Sequence, residues 1–282
     1  MSFFRAYAKI NLGLLVLEKR PDGYHNIETI FHRVNLYDEI SFTPSSRIIV
    51  ESSSKDIPSD ERNICFMAAD LLRRELGVDS GVKATIRKNI PVGAGLGGGS
   101  SDAATVLRHL PSFWGKRINE DTIHRIALQL GSDVPFFLNK GSAHAKGRGE
   151  RLDYMDLDVP YSILLCNPSI HISTAWAYQH VQPRHQYGNL KELVLQGMQN
   201  PSKLAALTND FEPAVFAEYP AVKQAKEMML RGGAVFSLMS GSGSTVYGLF
   251  DDENATRKAV EDFIFRGFRV SLTEPHFSPP ER

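Results

Sequence analysis

The chain has 282 residues, 42% hydrophobic and 23% charged, the proportions of a soluble globular protein with one or two domains and a substantial core. Lys plus Arg and Asp plus Glu each number 32, so no global field marks nucleic acid or a membrane surface as the partner, although a local cationic pocket could still draw a small anion. Cys65 and Cys166 lie far apart without metal-ligand spacing, no apolar run of about 18 residues occurs, and no basic leader precedes an apolar segment; buried thiols in the cytoplasm are expected.

The first strand is expected over 10–18, with a turn at Pro21-Asp22-Gly23 and a return strand over 25–34. Further strands are expected at 39–43 and 48–51. Asn63 is placed to cap a helix bearing Ile64, Met67, Ala68, Leu71 and Leu72 at helical spacing and stopped by Gly77. A strand over 82–87 feeds a glycine-rich loop, and a helical run follows to about His109. Asp121 is expected to cap the next helix, which shows Ile123, Ile126, Ala127 and Leu130 on one face and ends at Gly131.

Acidic residues and a proline over 153–160 predict a boundary, dividing the chain into 1–155 and 156–282. Beyond it come a strand over 161–166, a short helix from Ser173 or Thr174 to His180, and a polar loop over 181–188. Helices are expected over 190–198, 221–231 and 256–265, and strands over 235–239, 245–250 and 268–272. The order predicts an α+β fold, antiparallel strands backed by helices, without the alternation of a doubly wound sheet and without an internal repeat.

The segment from Pro91 to Ala104 carries the most chemistry. Gly93, Gly95, Gly97, Gly98 and Gly99 fall within seven residues and are followed by Ser100 and Ser101 and a run of small residues. Glycines let a bulky anion approach the main-chain N–H groups, and the following helix aims its unpaired N–H groups and positive dipole end at the loop, a fit for oligophosphate. A dinucleotide fold is disfavoured because Lys88-Asn89-Ile90-Pro91 precedes the glycines and no acidic residue ends a next strand. No Gly-Lys-Ser/Thr closes a Walker loop, and His-Arg-Asp and Asp-Phe-Gly are missing.

With its Pro-x-Gly-x-Gly-Leu-Gly opening and Ser-Ser-x-Ala-Ala close, this loop resembles the phosphate loop of the GHMP kinases, the superfamily of galactokinase, homoserine kinase and mevalonate kinase. Ala8-Lys9-Ile10-Asn11-Leu12, Arg20-Pro21-Asp22-Gly23-Tyr24-His25, Gly131-Ser132-Asp133-Val134-Pro135-Phe136-Phe137 and Ser240-Gly241-Ser242-Gly243-Ser244 extend the resemblance over nearly the whole chain. The Asp-Gly-Tyr-His segment is similar to the branch that serves isoprenoid-precursor synthesis by phosphorylating the 2-hydroxyl of a cytidylyl small molecule. The resemblance implies a two-domain fold, with an N-terminal half like domain 2 of ribosomal protein S5 and a C-terminal half related to the ferredoxin-like fold. It also implies an active site in the cleft between the halves, with ATP and Mg²⁺ as cofactors.

Phosphoryl transfer asks a protein to hold phosphates, neutralise charge and align the acceptor hydroxyl. Pro91, Gly93, Gly95, Leu96, Gly97, Gly98, Gly99, Ser100 and Ser101 would hold the triphosphate; either serine could equally be a helix N-cap. Lys9, Asn11 and Gly13 share one strand face, and the resemblance sets Lys9 beside the acceptor hydroxyl, where such charge stabilisation is commonly worth about 3–4 kcal/mol. Asp133 matches the family's catalytic aspartate and would orient or deprotonate the hydroxyl; a helix cap is its competing role. A cation nearby would keep that carboxylate ionised.

The resemblance further implies that His25 and Phe31 read and sandwich the cytosine, that Tyr178 stacks on it and that Tyr24 lies on the substrate side; a turn-stabilising role is the alternative for His25 and simple core packing for Phe31 and Tyr178. Asn63 and Lys88 match positions near adenine, against the alternatives of a helix cap and a solvated strand end. Thr174 matches a polar position of the substrate site, and Gly241 and Ser242 belong to a second glycine-rich loop that would close over phosphates or simply form a hairpin turn. No Mg²⁺ ligand is assigned; Asp102 and Glu150 are the acidic residues to consider. The rivals are a homoserine- or mevalonate-type kinase and, from another class, a nucleic-acid-binding module, disfavoured by neutral charge and by the lack of a basic stripe with interleaved aromatics. A homodimer is compatible with the sequence.

Overall fold

The computed structural model describes residues 3–184 and 189–280, so residues 185–188 of the polar loop expected over 181–188 lie outside the described residues. Two compact units interleave along the chain: one holds Tyr37–Val92, Gly97–Lys140 and the chain up to Ala8; the other holds Lys9–Leu36, Gly93–Leu96 and the chain from Gly141 on. The sequence reading divides the chain once, at 155/156. Interleaving arises because two long strands, β1 (Phe4–Lys19) and β2 (His25–Ser45), contribute their two ends to different units. They pair with each other through a tight turn in which Arg20 N donates to Tyr24 O at 2.7 Å and Gly23 takes φ +86°. The strands expected at 25–34 and 39–43 are thus one. Asp38, between those expected strands, continues β2 with its carboxylate buried against partners.

In the first unit, β3 (Ile48–Ser52) runs parallel to β4 (Gly81–Arg87), with α1 (Ile64–Leu76) as the crossover. β4 is antiparallel to the second half of β2, with Glu39 opposite Arg87. Asn63 caps α1 by accepting from Cys65 N at 2.8 Å, and Gly77 closes it in the left-handed region at φ +58°. Then come α2 (Gly98–Phe113) and α3 (Glu120–Leu130), which pack with α1 around Leu72, Ala104, Leu107, Leu110 and Ala127. α2 passes the expected end at His109 and carries Pro111 near its end, where the lost N–H costs one bond. Asn119, not Asp121, caps α3, accepting from Thr122 N at 2.8 Å; Asp121 sits in the first turn, where its charge complements the dipole.

In the second unit, β5 (Ser142–Gly147) lies antiparallel to the first half of β2, with Ile27 opposite Gly147, and β6 (Arg151–Met155) continues the pairing. Neither strand was expected, since Ser-Ala-His-Ala-Lys-Gly has no β-branched residue. Further along stand β7 (Ser162–Asn167), α4 (Thr174–His180), α5 (Leu190–Gln199), α6 (Glu212–Glu218), α7 (Pro220–Arg231), β8 (Phe236–Met239), β9 (Val246–Phe250), α8 (Glu253–Phe265) and β10 (Arg269–Thr273). Four of these strands form an antiparallel sheet in the order β10-β7-β9-β8, as expected of strands backed by helices. Its core includes Leu164, Val222, Met229, Phe250 and Phe263. α6 escaped the sequence reading, and α8 begins at Glu253 rather than 256 because Asp252 caps it. Cys65 and Cys166 are free and buried, and no described helix is long and apolar enough to cross a membrane.

Candidate functional site

The glycine loop is built by three left-handed residues, Gly93 at φ +63°, Gly95 at +77° and Gly97 at +68°, values that side-chain-bearing residues seldom adopt. Within the second unit, Lys9 N donates to Leu96 O at 3.0 Å, and Ser240 Oγ donates to Gly95 O at 2.9 Å. A Cβ on Gly95 would stand 2.0 Å from Ser240 O, so the loop and the Ser240–Ser244 segment touch backbone to backbone. Asn209 holds that segment by donating to Met239 O at 2.7 Å and to Gly241 O at 2.8 Å; nothing in its local sequence announced it. Ser242 Oγ lies 3.1 Å from Thr174 Oγ1, so these two predicted substrate residues come together.

In the first unit, α2 starts on Gly97 with no side chain capping it. The N-cap alternative for Ser100 and Ser101 therefore falls. The two serines also part: Ser101 is buried with its hydroxyl donating to Tyr7 O at 2.7 Å, whereas Ser100 is half-buried on the first turn. Pro91 is half-buried at the loop entry. Asn63 spends its side-chain oxygen on the α1 cap and donates to Pro58 O at 2.7 Å. Lys88 is not a solvated strand end. Its ammonium is buried between Asp38 and Asp102, 2.9 Å from Asp102 Oδ2, and is turned to carboxylates rather than to solvent. Burial pushes the Asp102 carboxyl up to about 8; Lys88 pulls against that shift and Asp38 adds to it. Asp133 is half-buried between α3 and a short 3-10 turn at Pro135–Leu138. That turn begins on Val134 without a side-chain cap, so capping does not explain the aspartate.

On β1 the alternation expected from sequence is realised: Lys9 and Asn11 are both buried, and Lys9 Nζ donates to Asn11 Oδ1 at 2.7 Å. Asn11 Nδ2 donates to Thr29 Oγ1 at 2.8 Å, and that hydroxyl donates to Gly13 O at 2.6 Å. Tyr247 OH donates to Asn11 O at 3.1 Å. Thr29 and Tyr247 were missed as site residues, although Thr29 shares a strand face with His25 and Phe31 in the sequence pattern. The Phe31 ring is buried, with Lys9 Nζ 4.9 Å from its centroid, which favours its role as packing under the lysine over stacking on a base.

His25 and Tyr178 stack, with centroids 5.3 Å apart and planes 16° from parallel. Burial, helped by the charge of Lys19, lowers the His25 pKa, so the imidazole is neutral near pH 7 and offers one donor and one acceptor to a base edge. Tyr24 is exposed beside them and carries the Arg148 guanidinium over its ring at 4.9 Å. The structure thus brings together Lys9 with Asn11, the two glycine-rich segments, His25 with Tyr178, and Thr174 with Ser242.

Two family models match this chain, the GHMP kinases N terminal domain over residues 63–141 and the GHMP kinases C terminal over residues 187–267. The chain is 47% identical to the 4-diphosphocytidyl-2-C-methyl-D-erythritol kinase of Chlorobium phaeobacteroides strain BS1, with 97% of each chain covered. It is 45% identical to the enzyme of the same name from Prosthecochloris aestuarii, again with 97% of each covered. Among solved structures, a 4-(cytidine 5'-diphospho)-2C-methyl-D-erythritol kinase superposes with a TM-score of 0.82 at 32% identity, covering 96% of this chain and 98% of that one. A homoserine kinase from Cytophaga hutchinsonii shares the fold at TM-score 0.72 and 18% identity, covering 98% of this chain and 95% of that one. The chain therefore belongs to the GHMP kinases and, within them, to the 4-diphosphocytidyl-2-C-methyl-D-erythritol kinase family, whose two-domain α+β fold and use of ATP it shares.

Proposed function

We propose that this protein transfers the γ-phosphoryl group of ATP to the 2-hydroxyl of 4-diphosphocytidyl-2-C-methyl-D-erythritol, in the non-mevalonate route to isoprenoid precursors. The observation that carries the reading is full-length identity of 47% and 45% to kinases of that name, combined with a stacked, neutral His25–Tyr178 pair suited to a pyrimidine. Homoserine and mevalonate kinases match in fold alone.

The glycine loop and the uncapped start of α2 present main-chain N–H groups and the positive helix end to the triphosphate. Lys9, aimed by Asn11, lowers the pKa of the acceptor hydroxyl and stabilises charge as the phosphoryl group moves. Asp133 accepts the hydroxyl proton or holds the hydroxyl in line. His25 reads the cytosine edge, Tyr178 and Tyr24 supply aromatic faces, and Thr174, Gly241 and Ser242 line the substrate side. Asn63 and the Lys88 segment stand on the nucleotide side. The ATP loop belongs to the N-terminal family domain, here 1–155, and 156–282 forms the C-terminal one.

Mg²⁺ would neutralise charge on the triphosphate. Among the described residues no cluster of three His, Cys, Asp or Glu is placed for a metal, and Asp102 and Glu150 accept from Lys88 Nζ and Arg148 N, at 2.9 and 2.5 Å. That donor set fits an ion carried on the nucleotide phosphates, with the half-buried Ser100 hydroxyl as its protein ligand. Partners are then small molecules rather than nucleic acid, in keeping with the neutral net charge, with a homodimer compatible; two free, buried thiols suit the cytoplasm.

The test is product analysis. Incubation with Mg-ATP and the cytidylyl substrate should yield ADP and a product heavier by one phosphoryl group, carried as a monoester on the tertiary 2-hydroxyl. Asp133→Asn should retain ATP binding and lose most of kcat; near-normal turnover would remove Asp133 from the mechanism.

A further inference from the structure

The glycine loop leaves the body of the first unit at residues 88–91 and returns to it at residues 97–102. Three buried ionisable groups join these two ends. Asp38, in the middle of β2, uses Oδ1 to accept from Asn89 N at 2.6 Å and from Ile90 N at 2.9 Å, and its Oδ2 accepts from Lys88 Nζ. The same ammonium donates to Asp102 Oδ2 at 2.9 Å, in the second turn of α2. Fit is close here: a Cβ on Gly98 would stand 2.9 Å from Ile90 Cγ2 and 3.3 Å from Lys88 Nζ. Asp38 and Asp102 are 0% and 2% exposed, so the three groups are cut off from solvent and from competing water. Asp102 Oδ1 has no hydrogen-bond partner, and Lys88 and Asp38 are the groups that face that carboxyl.

We propose that Asp38, Lys88 and Asp102 form a strut that sets the spacing between the entry and exit of the nucleotide phosphate loop, which makes Lys88 a positioning residue and not a contact to the adenine. The proposal rests on the reading of that loop as the ATP phosphate site. Phosphate binding by main-chain N–H groups depends on their convergence on one point, and a loop whose ends drift apart loses that convergence for any oligophosphate, with or without a base. A residue that touches adenine would act differently, because its loss would spare a ligand that has no base.

The experiment compares ATP with inorganic tripolyphosphate. Dissociation constants for both are measured by calorimetry on the full chain for wild type, Lys88→Met and Lys88→Met/Asp102→Asn, alongside KM for the cytidylyl substrate. Lys88→Met alone leaves two buried carboxyls facing each other without the ammonium; the double variant relieves that repulsion, and Asp38 keeps its bonds from Asn89 N and Ile90 N. The strut predicts that both ligands weaken by the same factor, about tenfold, in whichever variant folds, while KM for the cytidylyl substrate changes less than twofold. Weakening of ATP alone would mean a contact to the base and would overturn the strut, as would unchanged affinity for both ligands or an equal rise in the cytidylyl KM. Failure of the wild type to bind either ligand would instead overturn the phosphate-site reading beneath it.

Discussion

The Lys9 ammonium donates to the Asn11 side-chain oxygen at 2.7 Å, two residues apart on one buried face of β1. The flexible four-carbon stem of a lysine does not fix its own head, so the amide beside it decides where the charge points. Asn11 is fixed in turn by Thr29, whose hydroxyl accepts from Asn11 and donates to Gly13 O, which also settles the orientation of the amide. Replacing Asn11 with leucine keeps the volume and removes the acceptor. A hydrogen bond to a charged group is worth about 1.5–3 kcal/mol, so kcat should fall roughly 10- to 100-fold. ATP affinity should hold. Steady-state kinetics with a nucleotide titration checks both, and an unchanged kcat would show that Lys9 is aimed without Asn11.

Two neighbouring glycines should respond differently to the same substitution. Gly95→Ala puts a Cβ 2.0 Å from Ser240 O at φ +77°, and the backbone cannot give, so thermal stability should fall steeply. Gly99 lies in the first turn of α2 with only Ile64 Cγ2 at 3.8 Å, so Gly99→Ala should fold as well as the wild type or up to about 1 kcal/mol better. On the proposed phosphate site the added methyl group would crowd the triphosphate, and ATP affinity should drop. Melting curves combined with ATP titration separate the two effects; a Gly99→Ala protein with normal ATP affinity would remove that face of the helix from the phosphate site.

Acid should destabilise the fold through His32. This imidazole is fully enclosed with Nδ1 2.8 Å from Ser142 Oγ, and burial lowers its pKa from 6.5 to about 4. The unfolded chain therefore takes up a proton between those values that the native state refuses. The contribution is fully present above pH 6.5 and is lost as pH falls towards 4, a change on the order of 3 kcal/mol. His32→Asn should flatten the fall in unfolding free energy between pH 6.5 and 4, measured by denaturant titration at several pH values; an unaltered slope would assign the proton uptake to other groups.

Asp102 should act with the opposite sign. Its carboxyl is raised from 3.8 to about 8 by burial, so the native state keeps a proton that the unfolded chain has released. Stability from this group is complete below pH 3.8 and declines as pH rises through 8. Lys88 and Asp38 face it directly, and Cys65 on α1 lies in the same field. Asp102→Asn, a mimic of the neutral acid, should gain on the wild type in melting temperature as pH rises from about 4 to about 8. A difference between the two proteins that stays constant over that range would show that Asp102 is already ionised in the native protein.

What the sequence revealed about the site depended on distance along the chain. The Lys9–Asn11 alternation, the hairpin turn, the Asn63 and Gly77 ends of α1 and the glycine loop are set by neighbours within a few residues, and all were readable. Asp38 was not, because its partners Lys88 and Ile90 stand about fifty positions away, and a lone aspartate in an apolar strand pattern looks like a break. β5 was missed for a different reason: it is made of small residues that fit against β2 and carry little intrinsic strand preference. The hydroxyls of Ser100 and Ser101 were indistinguishable until their positions on α2 turned one towards Tyr7 O and left the other half-buried. Asn119 outcompeted Asp121 as a cap only once the helix start was fixed.

ADP release identifies the acceptor. The purified protein is given Mg-ATP with the cytidylyl-methylerythritol substrate, methylerythritol phosphate, homoserine or mevalonate in turn. Turnover is expected with the cytidylyl compound alone, because only that acceptor carries a pyrimidine for His25 and Tyr178 to engage. Turnover with homoserine or mevalonate and none with the cytidylyl compound would contradict it.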